Sequence, residues 1–267
     1  METYLADGVP IEYQVRGSGE PLLFIHGGMI ADSLEPIAEK LAASYRVITY
    51  RRRGFHGSPA HQNCTIFKVA ADAVALLDHL GIATAHVGGH SYGGCTALQL
   101  AVDAPTRVHT LPLLEACVMT VPAAAEVGAG LASIAEMFQS GDSEGALVAV
   151  LTAVGGPDPV SRLDRTLPEG WFEQALADLP TLFAADLPSL GSWKFGQQQA
   201  ATIKQPALTL LGSKSAPWYS ESHDVFNEWL PNAEPFVLEG ATHMLHWEDP
   251  DGVATGLLDF LARHPMG

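Results

Sequence analysis

The chain has 267 residues, 47% of them hydrophobic, a formal net charge of −16 and an isoelectric point near 4.9. That length allows one large domain with a sizeable core, and the acidity disfavours nucleic acid or an anionic membrane surface as a partner. Cys64, Cys95 and Cys117 are widely spaced and form no C-x-x-C pair, which argues against a disulfide framework or a zinc site. No basic-then-apolar leader opens the chain and no apolar run reaches about 18 residues, so a cytoplasmic protein without membrane contact is expected.

In chain order, residues 3–16 alternate around Asp7-Gly8 and read as a hairpin. Pro21 to Ile25 is a continuous apolar run, a buried strand that feeds the turn His26-Gly27-Gly28. Residues 33–43 carry a helical stripe of Leu34, Ile37, Ala38 and Leu41, and Arg46 to Tyr50 is the next strand. It runs into the polar loop Arg51-Arg52-Arg53-Gly54-Phe55-His56-Gly57-Ser58-Pro59. A helix is expected over 66–80, stopped by Gly81, then a strand over 84–87, a helix over 91–102 and a strand over 108–114. Residues 118–200 change rhythm, with helical pieces at about 122–139, 143–153 and 171–185. Strands return at 206–212 and 235–238, with helices near 219–229 and 251–263. This alternation predicts an α/β fold, a mostly parallel, doubly wound sheet with helices on both faces. The division expected is a core of residues 1–117 and 201–267, with 118–200 as a helical cap inserted between the strand ending at Leu114 and the one beginning at 206.

Gly89-His90-Ser91-Tyr92-Gly93 is a G-x-S-x-G pentapeptide between a strand and a helix. Small residues there hold a serine on a sharp turn with its hydroxyl exposed, and the following helix aims free N–H groups at nearby negative charge. Serine needs a base, and the base an orienting carboxylate. His243, in the loop Gly240-Ala241-Thr242-His243 after the last strand, falls at the sheet edge that carries Ser91; His246 is its rival. Glu115 closes the strand ahead of the helical insertion, with Glu221 and Asp224 as alternative acids on a helix.

His26-Gly27-Gly28, Arg53-Gly54-Phe55-His56-Gly57-Ser58, the Ser91 turn and Gly240-Ala241-Thr242-His243 together resemble the α/β-hydrolase superfamily, from Pro21 to Leu261. In most members the acid is an Asp a few residues past Gly212; Ser215 stands there instead. Some branches carry the acid at the end of the preceding strand, which implies a Ser91–His243–Glu115 triad in the chain order Ser, acid, His. The resemblance implies oxyanion-hole N–H groups at Gly28 and Tyr92, a structural His26, and Met29 at the pocket wall. Arg51-Arg52-Arg53 departs from the family, where an acidic residue often stands first, and is expected to be a solvated or loop-bracing cluster rather than an anion site.

These features imply a serine hydrolase of a carboxylic ester or lactone, working without metal or organic cofactor on a neutral, hydrophobic or aromatic small molecule. Trp171, Phe183, Trp193 and Trp218 are the candidate substrate-binding aromatics. The acid after this strand resembles lactone-cleaving members such as zearalenone hydrolases. Carbon–carbon hydrolysis of a ring-cleavage product, drawing on Arg162 and Arg165, and a ligand-binding homologue without turnover are the alternatives. A monomer or homodimer is expected.

Overall fold

In the computed structural model, residues 1–56 and 64–267 are described; Gly57, Ser58 and Pro59 of the arginine loop lie outside them. The strands are β1 (Glu2–Ala6), β2 (Val9–Arg16), β3 (Pro21–Ile25), β4 (Arg46–Tyr50), β5 (His86–His90), β6 (Leu111–Leu114), β7 (Ala207–Gly212) and β8 (Ala233–Leu238). They form one eight-stranded sheet in the order β1-β2-β4-β3-β5-β6-β7-β8, antiparallel at β1–β2 and β2–β4 and parallel elsewhere.

Along β3 the side chains alternate between two cores, as a period of two requires. Leu23 and Ile25 join the apolar cluster under helices α2 (Ile66–His79), α3 (Tyr92–Asp103) and α10 (Pro217–Trp229). Leu22 and Phe24 join the one under α1 (Glu35–Leu41) and α12 (Pro250–Arg263). Helix α2 shows why such segments are helices. Val69, Ala70, Ala73, Leu76 and Leu77 form its buried stripe, and the Thr65 hydroxyl accepts the Lys68 N–H at its start, a cap worth about 1 kcal/mol.

Between β6 and β7 lie α4 (Ala124–Gln139), α5 (Ser143–Gly155), α6 (Pro159–Leu163), α7 (Trp171–Thr181), α8 (Leu187–Ser192) and α9 (Gln197–Ala200). Most of their apolar side chains gather in a third cluster with Met29, Ile30, Met244 and Trp247 of the sheet-edge loops. The short α11 (Leu245–Glu248) follows the His243 loop. Among the described residues no helix is long and apolar enough to cross a membrane.

Three elements depart furthest from the sequence expectation. The strand read as 84–87 is β5, His86–His90, and it contains two glycines. Gly88 is there because a Cβ would come within 2.4 Å of the Pro112 carbonyl, so packing rather than flexibility selects it. The strand read as 108–114 shortens to Leu111–Leu114, with Val108 making an isolated bridge to Ala85. The helix read as 171–185 is α7 followed by a wider π turn over Leu182–Asp186. Pro188 has no N–H to continue the ladder, and the Leu187 N–H reaches back to the Leu182 carbonyl.

Candidate active site

Parallel register brings the C-terminal ends of four strands level: Ile25 pairs with Gly89, His90 with Leu114, and Leu114 with Leu210. The chain leaves each end in a different functional loop. After β5, Ser91 takes φ 54°, ψ −121°, a sparsely populated conformation for a side-chain-bearing residue. Its N–H donates to the Leu114 carbonyl at 2.8 Å. The turn tolerates only glycine on either side, since a Cβ on Gly93 would lie 2.0 Å from the Ile25 carbonyl oxygen and one on Gly89 2.5 Å from the Gly93 carbonyl carbon.

After β6, Glu115 also has positive φ, 48°. Its carboxylate is buried and fully engaged. Oε2 accepts from His243 Nδ1 at 2.6 Å, and Oε1 accepts the Gly212 N–H at 2.6 Å and the Ser215 hydroxyl at 2.5 Å. Ser215, which stands where the resemblance implies an acid, thus donates to the acid on the neighbouring strand. Burial pushes the Glu115 carboxyl up to about 7, while the Ser215 and Gly212 bonds pull it down. Burial also pushes the His243 imidazole down, so the ring is neutral at neutral pH, with Nδ1–H donating to Glu115 and Nε2 left as an acceptor.

His243 is held on both sides. Tyr219 stacks on its ring at 3.8 Å and 14°, and His90 Nε2–H donates to its carbonyl at 2.9 Å. His246 is buried against His90, with ring centroids 4.1 Å apart, and makes no bond to Glu115. Of the alternative acids, Glu221 accepts the Ala123 N–H and Asp224 is exposed beside His223.

Ser91, Tyr92, His243, Gly28, Met29 and Trp218 all line one cavity under the inserted helices. Among the described residues, Gly28 N–H has no acceptor, and Tyr92 is the first residue of α3, whose N–H is unpaired by geometry. Among the described residues the cavity wall is otherwise mostly apolar, with residues such as Leu131, Ile134, Val150, Leu182 and Leu190 and no lysine or arginine. Its one carboxylate, Asp186, is ion-paired with Arg52.

Three candidate aromatics are not at that wall. Trp193 donates from its indole to Gln99 and stacks on Phe195 in the core. Phe183 stacks on Phe138. Trp171 bonds Asp164 and borders a separate cavity beside Ile30 and Gln174. Trp171 and Phe183 pack among the inserted helices and Trp193 against the sheet core, which a helical stripe of aromatics cannot be told from in sequence. Conversely, Tyr219, His90 and Ser215 act on the His–Glu pair and were not singled out for it. The signal for His90 is a polar residue closing a wholly buried strand.

The three arginines brace loops. Arg51 bonds Asp32 and Glu12, Arg52 bonds Asp186, and Arg53 bonds Asp72. Arg162 pairs with Glu248 and, with Arg165, borders a different groove.

The sequence profile of the alpha/beta hydrolase fold matches residues 20–250, and the chain belongs to that family. A putative carbamate hydrolase, RutD, of Variovorax paradoxus is 38% identical over 114 residues, 40% of this chain and 43% of that protein. The chain aligns with under half the length of this and comparable curated relatives. Among solved structures, an esterase from Thermogutta terrifontis superposes with a TM-score of 0.83 at 22% identity, covering 98% of this chain and 97% of that one. The enol-lactonase from Burkholderia xenovorans superposes with a TM-score of 0.76 at 21% identity, covering 98% and 100%.

Proposed function

We propose that the protein is a serine hydrolase that cleaves a neutral, apolar carboxylic ester or lactone through an acyl-enzyme, with residues 118–200 as the cap over the site. The observation that carries this reading is the buried His243 Nδ1–Glu115 bond, 2.6 Å, beside a strained Ser91 in one cavity. Ser91 Oγ attacks the carbonyl carbon while its proton passes to His243 Nε2. Glu115 holds the ring's tautomer and stabilises the imidazolium. The Gly28 and Tyr92 N–H groups receive the oxyanion. His243 then protonates the leaving alkoxide, and water, deprotonated by the same ring, releases the acid. No step draws on a cofactor.

A cavity wall without lysine or arginine favours a neutral substrate over the anionic ring-cleavage products of carbon–carbon hydrolysis. The esterase and lactonase among the structural neighbours share the fold and fit this class. The test is a fluorophosphonate probe together with p-nitrophenyl butyrate. Wild-type protein is expected to label and to turn over the ester, and Ser91→Ala to do neither. Folded wild-type protein that neither labels nor hydrolyses esters, or that cleaves only ring-cleavage diketones, overturns the proposal.

A further inference from the structure

Among the described residues, Arg52 is the largest fully buried side chain. Its guanidinium bonds Asp186 twice, at 3.0 and 2.7 Å, and lies over the rings of Tyr92 and Phe55 at 4.5 and 4.7 Å. One fork to a carboxylate would already neutralise the charge. The same Nη2 also donates to the Gly27 carbonyl at 2.9 Å. That carbonyl takes a second bond, from His26 Nδ1–H at 2.7 Å. The tautomer of His26 follows from its other side, because Nε2 accepts the backbone N–H of Arg52 at 3.0 Å. The buried ring is neutral, its imidazole pushed well down by desolvation and then by the Arg52 charge.

The Gly27 carbonyl and the Gly28 N–H are the two ends of one peptide unit. Bonds accepted at the oxygen draw density from the nitrogen through amide resonance and make the N–H a stronger donor. Here one of the two bonds comes from the guanidinium of a buried ion pair, a charge-assisted donor in a site shielded from water. The Gly28 N–H has no acceptor among the described residues, and Gly28 lines the same cavity as Ser91. Asp186, on the far side of the guanidinium, belongs to the π turn that closes over this loop: a Cβ on Gly28 would stand 3.1 Å from Leu182 Cδ1.

We infer that Arg52 is a positioning residue for the reaction: it polarises the Gly27–Gly28 peptide, so that the Gly28 N–H binds the developing oxyanion more strongly, and it ties the 182–186 turn to the same unit through Asp186. The inference rests on the proposed hydrolase reading.

The test is the double variant Arg52→Met/Asp186→Leu, which removes both charges together and avoids stranding a buried carboxylate, beside Arg52→Lys, which keeps a cation. Kinetics on p-nitrophenyl butyrate are read with inhibition by a trifluoromethyl ketone, whose adduct with a serine carries an oxyanion. Removing a whole oxyanion donor costs about 10²–10³ in kcat, so weakening one predicts a drop of about tenfold in the double variant. Ketone affinity should fall by a similar factor and KM stay within about threefold, with Arg52→Lys recovering most of both losses. A folded double variant with kcat and ketone affinity unchanged, or a loss confined to KM, overturns the inference. If that double variant does not fold, Arg52→Met/Asp186→Asn, which also removes both charges but keeps a polar side chain at 186, is read the same way: matched losses in kcat and ketone affinity support the role, and unchanged values or a loss confined to KM overturn it. A wild-type protein that neither turns over the ester nor binds the ketone refutes the hydrolase reading itself, and the inference falls with it.

Discussion

At the residue scale, the proposed mechanism needs Glu115 ionised to stabilise an imidazolium, yet burial holds its carboxyl up, to about 7. Two donors offset that cost, the Gly212 N–H and the Ser215 hydroxyl. Activity is therefore expected to rise with pH through about 7 and level off above it, because protonated Glu115 leaves His243 without its anionic partner. Ser215→Ala removes a bond that favours the ionised form. Its kcat/KM profile should keep its shape while the rising limb moves to higher pH by about one to two units, the worth of one hydrogen bond to a charged group. A limb that stays put or moves to lower pH would separate Ser215 from the triad. In sequence, Ser215 signals only a missing acid. That its hydroxyl serves the acid on the adjacent strand depends on the β6–β7 pairing, which no local pattern encodes.

At the element scale, the strands and core helices were legible because their periods are clean: continuous apolar runs for buried parallel strands, and a 3.6-residue stripe in α2. The turn at Ser91 was legible because its glycines are forced by contacts of 2.0–2.5 Å with neighbouring backbone. The inserted helices were not legible in the same detail. Their aromatics can face the cavity or pack elsewhere: Trp171 turns to Asp164, Phe183 stacks on Phe138, and Trp193 turns to Gln99 and the sheet core. Asp186 meets Arg52 across 134 positions of chain, beyond any periodic signal. What the inserted helices do offer the cavity is aliphatic surface, including half-buried Leu131 on α4. Leu131→Trp should shorten the acyl chains accepted. Turnover of p-nitrophenyl octanoate is expected to fall about tenfold or more relative to the acetate, since each methylene a pocket must reject is worth about 1–3 kcal/mol. An unchanged chain-length series would show that the acyl group lies elsewhere.

At the scale of the whole molecule, a net charge of −16 and a cavity wall without a lysine or arginine act in the same sense, against anionic substrates. The sheet does the rest. It sets Ser91, Glu115 and His243 beyond the ends of three strands, with the proposed acid just after β6, one strand nearer the proposed nucleophile than the position the family resemblance favours. The strand end gave Glu115 away in sequence, as a single acid closing an apolar run, while only the fold supplies its partners. The most direct test of this arrangement compares kcat/KM on p-nitrophenyl butyrate for Glu115→Ala and Asp224→Ala, each checked for native folding by circular dichroism. The account predicts a loss of about 10³-fold or more for Glu115→Ala and near wild-type activity for Asp224→Ala. Near wild-type activity in Glu115→Ala, with the loss falling on Asp224→Ala, would contradict it.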